Sequence, residues 1–561
     1  MTRPGNSYLL AALLLLILGG ALGTRLDWKL ADKDTTEQLK KLEEAFLIIN
    51  KRYVEEVEPA DLVEEAIEAM LGALDPHSSY IDAAAFVEVE EGYRGSFGGI
   101  GIWFEVPDGD TARVVSPIEG GPSERVGLRA GDRIIAVDDT SAIGMNDQEI
   151  KRRLKGPIGT TVDVTLKRLG VDQPIRVTIT RGQIPLYSVN SSYMVDDRTG
   201  YIKVSRFAQT TYAEFREGLA QLAANGMERL ILDLRQNPGG IMETAVLMVD
   251  ELLEDERTIV YTQGRVSQDD KLFRSSRPGL LEDEPIIVLV DYNSVSASEI
   301  VAGALQDHDR ALIVGQPTFG KGLVQGQFTL PDDSRLQMTT ARYYTPSGRL
   351  IQTPYRDGDR RAYLEEKTAA LREATNNPSA YLESFPDSLR FTTTHGRTVL
   401  GGGGIMPDVV IAPDTAMAPI VRAVFIGALF EPFRLWFAMR EQDLRETWSD
   451  RREDFFQHYT VSTAAWDDFW EIASGAEPRL TLTSNPDEAS LENLIFTTTD
   501  LETNRETVQL HLKALLARQL YGSRAAYPLF HRIDPVFQQA LTLWDSVERL
   551  PGVSQSTGSV R

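Results

Sequence analysis

Between Ile184 and Gln352 three short apolar runs, "ERLILDL" (228–234), "PIIVLVD" (285–291) and "RALIVGQ" (310–316), alternate with helical patterns such as "TTYAEFREGLAQLAANG" and "METAVLMVDELL". Runs of this length, rich in β-branched and aliphatic residues, form buried strands, and strand–helix alternation implies a mostly parallel sheet covered by helices. In such sheets reactive groups gather on the loops that leave the strand ends. Two loops there carry unusual residues. "RQNPGG" follows the first run, and "NSVSASEIVAGALQD" (293–307) follows the second, with Ser294, Ser296 and Ser298 where a strand turns into a helix. Serine at such a junction either caps the first helical turn or serves as a nucleophile.

At 561 residues the chain has room for roughly three or four domains. Its 82 acidic against 58 basic side chains give a formal charge of −24, which repels nucleic-acid phosphates and argues against DNA or RNA as a partner. The absence of cysteine removes disulfides, thiolate nucleophiles and cysteine-ligated metals. Compartment is therefore read from the start of the chain, where Arg3 precedes an apolar run from Tyr8 to about Leu18 and then Ala21 and Gly23. This is the pattern of a secretory signal, with an uncleaved membrane anchor as the alternative. Residues 1–23 are accordingly expected to direct export, to the periplasm or to the extracytoplasmic face of the cell membrane.

Helical spacing of Leu39, Leu42, Phe46, Ile49 and Tyr53 opens a helical region, 33–93, which includes the turn "DPHSSY". His77 in that turn is read as structural. From 94 to 183 short strands and one amphipathic helix, "MNDQEIKRRLKG", replace it. Gly98, Gly99 and Gly101 allow successive N–H groups to converge into a nest for a carboxylate, and the apolar strand that follows offers an edge for an added peptide strand. The α/β core covers 184–352 and resumes at 400–412 in "GGGGIMPDVVI"; 353–399 reads as an insertion with one charged helix. Residues 413–561 read as helical. The apolar stretch "PIVRAVFIGALFEPFRLWFAM" within it is broken by Arg422, Glu431, Pro432 and Arg434, so it is expected to pack or to make a dimer contact, not to span a membrane.

A serine nucleophile needs a base within hydrogen-bond reach. Of six histidines the nearest, His308, lies over three turns from Ser296, about 18 Å at the helical rise. Lysine is the other option. Lys321 sits in "PTFGKGLVQG" between two glycines, with Phe319, Leu323 and Val324 nearby to exclude water. Lowering a lysine from about 10.4 to about 7 requires roughly 4–5 kcal/mol against the charged form, which burial can supply. Gln325 can orient the amine without the negative charge that would hold its proton. These residues do not rank the three serines, and an isolated "GKG" also suits an exposed loop.

The segments "LDPHSSY", "GGIGI", "VGLRAGDRI", "LKGPIGTTV", "DLRQNPGG", "NSVSASEIVAGALQDHDRALIVGQPTFGKGLVQG" and "TTARYYTPSGRLIQ" resemble, in order and spacing, the carboxyl-terminal processing proteases. These are Ser/Lys peptidases of the tail-specific protease family that carry a circularly permuted PDZ domain. The resemblance spans residues 40 to 352 and the "GGGGIMPD" strand. It implies an α/β multidomain chain with a ClpP/crotonase-like protease core, a PDZ domain and helical N- and C-terminal regions. It implies Ser296 as nucleophile, Lys321 as general base and Gln325 as its partner, with Ser294 and Ser298 as loop and capping residues. Ala297 and a glycine of "NPGG", Gly239, would supply the oxyanion hole, and Gly99, Ile100, Gly101 and Ile102 would receive the substrate's C-terminus. No cofactor or metal is implied. The partners implied are protein or peptide C-terminal tails, with membrane anchoring and a homodimer as further options. A non-catalytic PDZ/crotonase-like scaffold is the alternative; the intact Ser296, Lys321 and Gln325 speak against it. A tail-sensing regulator with a latent protease is a third reading.

Overall fold

The computed structural model describes residues 33–106, 111–118, 120–168, 170–355, 359–412, 417–476 and 479–553. The signal or anchor expected at residues 1–23 lies outside them. Among the described residues no helix is long and apolar enough to cross a membrane. Residues 33–74 belong to one compact unit with helices Lys33–Arg52 and Pro59–Gly72, the second opened by a proline at its first position, where no N–H is needed.

The second unit, from Asp75 onward, is organised by a six-stranded sheet. Its strands lie side by side in chain order: β1 (Val189–Met194), β2 (Thr199–Val204), β3 (Arg229–Asp233), β4 (Ile286–Val290), β5 (Ala311–Gly315) and β6 (Val409–Val410). Only the β1–β2 pair is antiparallel. Helices α1 (Thr211–Ala224), α2 (Met242–Asp250) and α3 (Ala297–Asp307) bury one face, where Leu230, Leu232, Ile286, Val288, Val290 and Ile313 meet Phe215, Leu219, Met248, Ile300 and Leu305. The intervening residues Ile231, Ile287, Leu289, Leu312 and Val314 point the other way. They are covered by Phe537, Ala540, Trp544, Val547 and Leu550 from the end of the chain. This explains why the strand runs show no polar alternation: with side chains on opposite faces at a period of two, both faces need an apolar cover. The tail of the chain thus completes the core.

A second, antiparallel sheet carries Gln325 and starts two residues after Lys321. Leu323–Thr329 pairs with the long strand Arg335–Tyr344, which also pairs with Ser79–Ile81 and Thr258–Gly264. The unit from Ser96 to Pro185 is a small β-structure around Val114, Ile134, Ile150, Val164 and Ile179. Its helix Asp147–Leu154 opens with a reciprocal box, Asn146 accepting from the Glu149 N–H and the Glu149 carboxylate accepting from the Asn146 N–H. The sheet order makes Ile102–Glu105 an edge strand, bonded to Ala112–Pro117.

The apolar stretch from Pro419 to Ala438 divides into helices Pro419–Phe425 and Phe430–Ala438, which bury Ile420, Val424, Phe433 and Phe437 among Phe455, Trp466, Phe469 and Leu512. Of the two uses the sequence left open, packing within the chain takes these side chains. Arg434 on the second helix reaches Glu105 of the edge strand at 2.7 Å and also pairs with Glu431, which meets Arg113 at 3.3 Å. The C-terminal region therefore holds the end of the strand that the glycine-rich turn begins.

Candidate active site

Two loops meet at the carboxyl ends of β3 and β4. The Val295 N–H donates to the Asn237 carbonyl (3.0 Å), and the Ser298 hydroxyl donates to the same oxygen (2.9 Å). The Ser294 hydroxyl donates to the Leu234 carbonyl (2.9 Å) and accepts from the Asp291 N–H. Ser294 and Ser298 are fully buried and spend their hydroxyls on tying the loops together. Ser294 fits the loop role expected of it. Ser298 is a loop tie as well, not a cap.

Ser296 differs from both. It is half-buried, and its backbone has φ 56° and ψ −110°, a region that a side chain occupies at a cost of about 1–3 kcal/mol. Surrounding bonds enforce it. The Ser296 N–H donates to Glu299 (2.8 Å), and the Ser296 carbonyl accepts from the N–H groups of Glu299 and Ile300 and from the Tyr343 hydroxyl (3.1 Å). Gly239 presses against this turn: a Cβ built there would lie 2.7 Å from the Val295 carbonyl and 2.9 Å from the Ser296 Cβ, and its φ of +95° also favours glycine. Ala297 is the first helical residue, at the positive end of α3. The Gly239 N–H, however, donates to Asn237 Oδ1 at 2.9 Å, because Asn237 Nδ2 is held by the Val204 carbonyl and turns the oxygen inward. Gly239 is thus placed beside Ser296 with its donor already engaged.

Arg235, which starts the "RQNPGG" loop, lies between Asp233 (2.6 Å) and Asp534 (2.8 Å), and Lys203 also meets Asp233. Burial alone would raise the Asp233 carboxyl, but Arg235 and Lys203 hold it far below the usual range. Asp534 caps the helix Pro535–Ala540, so the tail that covers the sheet also grips this loop.

Lys321 donates from Nζ to Gln325 Oε1 at 2.7 Å. Gln337 donates to the same oxygen at 2.8 Å, and Gln325 Nε2 donates to the His77 carbonyl. Both ends of the Gln325 amide are therefore fixed. The turn that supplies the carbonyl is held by Asp75, which accepts from the His77 and Ser78 N–H groups and the Ser78 hydroxyl, all at 2.8 Å. His77 is structural in this sense: its backbone orients the glutamine. Burial lowers the His77 imidazole to about 4, aided by the Lys321 charge. Burial likewise lowers Lys321 from its ordinary value, against the opposing pull of Glu299 and Asp75.

Two residues link the halves of the site. Glu299, with no exposed surface, accepts on one oxygen from the Thr318 hydroxyl and the Gly320 N–H (both 2.6 Å). On the other it accepts from the N–H groups of Ser296 (2.8 Å) and Lys321 (2.9 Å). The Tyr343 hydroxyl lies 2.7 Å from the Lys321 carbonyl as well as 3.1 Å from that of Ser296. The reading of the sequence missed both. Glu299 stands three residues after Ser296, the spacing of a capping box, which was a usable signal; Tyr343 had none beyond its place in "TTARYYTPSGRLIQ". Tyr343→Phe removes one shared hydrogen-bonding group, worth about 1 kcal/mol, and is expected to lower kcat/KM by about fivefold in steady-state assays with the fold intact.

In the β-unit, the carbonyl of Ile100 accepts from the Ser123 N–H (2.9 Å) and hydroxyl (2.7 Å), and that of Gly101 from the Ile118 N–H (3.0 Å). Gly99 ends the strand Ser96–Gly99, and Ile102 starts the edge strand. The four residues therefore form one turn with two carbonyls tied into the domain.

Sheet, serine turn and β-unit together define a serine-type peptidase with a PDZ domain. Three family models match the chain: Peptidase family S41 at residues 198–358, PDZ domain at 113–168, and the activating protease CtpB N-terminal domain at 24–85. A carboxy-terminal-processing protease of Bartonella bacilliformis is 38% identical over 57% of this chain and 74% of its own. A carboxyl-terminal-processing protease of a Picosynechococcus species is 34% identical over 57% and 77%. A solved photosystem II D1 C-terminal processing protease is 29% identical over 57% and 85%, with a TM-score of 0.32. The chain belongs to the carboxy-terminal processing proteases of family S41.

Proposed function

We propose that the protein is an exported endopeptidase that cuts C-terminal tails through a Ser296–Lys321 dyad. The observation that carries this reading is that one buried carboxylate, Glu299, holds the backbone N–H groups of both the strained Ser296 and the half-buried Lys321, whose only side-chain acceptor among the described residues is an uncharged amide. Neutral Lys321 takes the Ser296 proton as the oxygen attacks the scissile carbonyl, then passes it to the leaving amine. Water activated by the same amine releases the acid from the acyl-enzyme. The Ala297 N–H receives the oxyanion, joined by the Gly239 N–H when a substrate oxygen takes the place of Asn237 Oδ1.

The turn 99–102 receives the substrate's terminal carboxylate, and the edge strand Ile102–Glu105 adds the tail as a further strand. The start of the chain supports secretion or anchoring at the extracytoplasmic face of the cell membrane, and a homodimer is part of this proposal. The test is incubation of the purified protein with reporters that differ only in their C-terminal residues, with products read by mass spectrometry. Cleavage that depends on an apolar C-terminus and vanishes in Ser296→Ala is the expected result. Tail binding without cleavage in the unmodified protein would favour the scaffold reading.

A further inference from the structure

Glu299 accepts on both oxygens from four donors, an arrangement that only the ionised carboxylate satisfies. A buried negative charge requires a counter-charge. If Lys321 served as that cation, it would keep the proton that the dyad needs it to lose. A second buried ammonium stands nearby. Helix α4 (Arg360–Asn376) presents Tyr363 and Lys367, one turn apart and each 5% exposed, toward the core. Lys367 Nζ lies 3.2 Å from the ring centroid of Phe319, the residue between the two, Thr318 and Gly320, that grip one oxygen of Glu299. The rings of Tyr363 and Tyr292, at 5.1 and 6.0 Å, complete an aromatic box, and the Tyr363 hydroxyl accepts from the ammonium at 3.2 Å.

We infer that Lys367 is a positioning residue of the protease, whose ammonium balances Glu299 and so frees Lys321 to be an uncharged base. The inference rests on the Ser296–Lys321 reading. The titratable groups facing Lys367 are Tyr363 on its own helix, Tyr292 before the serine turn, Glu299 on α3, and His77 and Arg360, whose charges interact across the same cluster. Those facing Lys321 are Glu299, Asp75 and His77. Burial brings Lys367 down to about 7 and Glu299 pulls it up, so its ammonium persists up to about neutrality. Burial also raises the Glu299 carboxyl, and its donors and the Lys367 charge oppose that rise. The three family models end by residue 358, so this lysine is supplied by a segment they do not describe.

The test is β-casein cleavage by the full chain from about pH 6 to about pH 10, comparing the unmodified protein with Lys367→Met, Lys367→Arg and Lys321→Ala. Without the cation, Lys321 holds its proton more tightly. Over the acid part of that range, where Lys367 is charged, kcat/KM of Lys367→Met should fall below that of the unmodified protein, its rising limb moving toward alkaline pH by up to about one unit, and Lys367→Arg should restore it. A merely structural role would lower the rate at every pH with the limb unmoved, and that outcome overturns the inference. Should Lys367→Met fail to fold by circular dichroism, Lys367→Gln takes its place. Competitive acetylation of Lys321, read by peptide mass spectrometry across the same range, then reports its titration directly; an unchanged midpoint overturns the inference. Retained cleavage in Lys321→Ala would instead sink the dyad on which it rests.

Discussion

Lys321→Ala is expected to reduce peptide-bond hydrolysis by about 10²–10⁴-fold, the range for losing a general base, with folding and tail binding preserved. The size follows from the site. Gln325 Oε1 can orient an amine but cannot take a proton at neutral pH, and His77 offers Gln325 only its backbone carbonyl. Single-turnover kinetics with a tailed reporter, beside a binding assay on the same variant, check this; a loss smaller than tenfold would remove Lys321 from the chemistry. Stability should move the opposite way. The folded lysine binds its proton more weakly than the unfolded chain does, so stability rises with pH below the unfolded value of about 10.4 and is reduced most at low pH. Lys321→Met should therefore melt above the unmodified protein, by a margin that grows as pH falls from about 10.

Arg349→Met carries the second large effect, on the fold. Arg349 and Asp307 have no exposed surface and meet at 2.7 Å, and Arg349 also donates to Gln306 Oε1 (2.8 Å) and the Leu400 carbonyl (3.0 Å). Asp307 ends the helix that Ser296 caps, so the pair fixes the far end of that helix. Removing one partner strands a buried carboxylate, at a cost of about 3–5 kcal/mol. The melting transition should fall by about 10 °C. Arg349→Met with Asp307→Leu should recover part of the loss, since neither charge is then left unpaired. A shift under about 2 °C in the single variant would show that the carboxylate finds another partner.

The parallel sheet was legible because its strands are contiguous apolar runs, and periodicity is a local property. What the runs could not disclose was their second cover. Trp544 and Val547 lie more than 200 residues from Leu312 and Val314, which they help to bury, and a helical pattern does not name the surface it meets. Likewise "GKGLVQ" places Lys321 and Gln325 on one short segment, so their hydrogen bond could be read from spacing. The carbonyl that fixes Gln325 belongs to His77, in a turn that the sequence marked only as a turn.

The amino-acid order by itself determined the strand–helix alternation, the glycine-bounded lysine and the serine-led helix, because each depends on neighbours within a few residues. Tertiary structure alone decided how the three serines are used: two hydroxyls are spent on carbonyls about 60 residues away, and Ser296 is forced into strain by Gly239 and Tyr343. It also decided that a buried glutamate would join the Ser296 and Lys321 segments and that the helix Arg360–Asn376 would place the Lys367 ammonium on the ring of Phe319. Desolvation and hydrogen-bond satisfaction depend on which distant groups share a dry volume, and that is settled only when the whole chain packs.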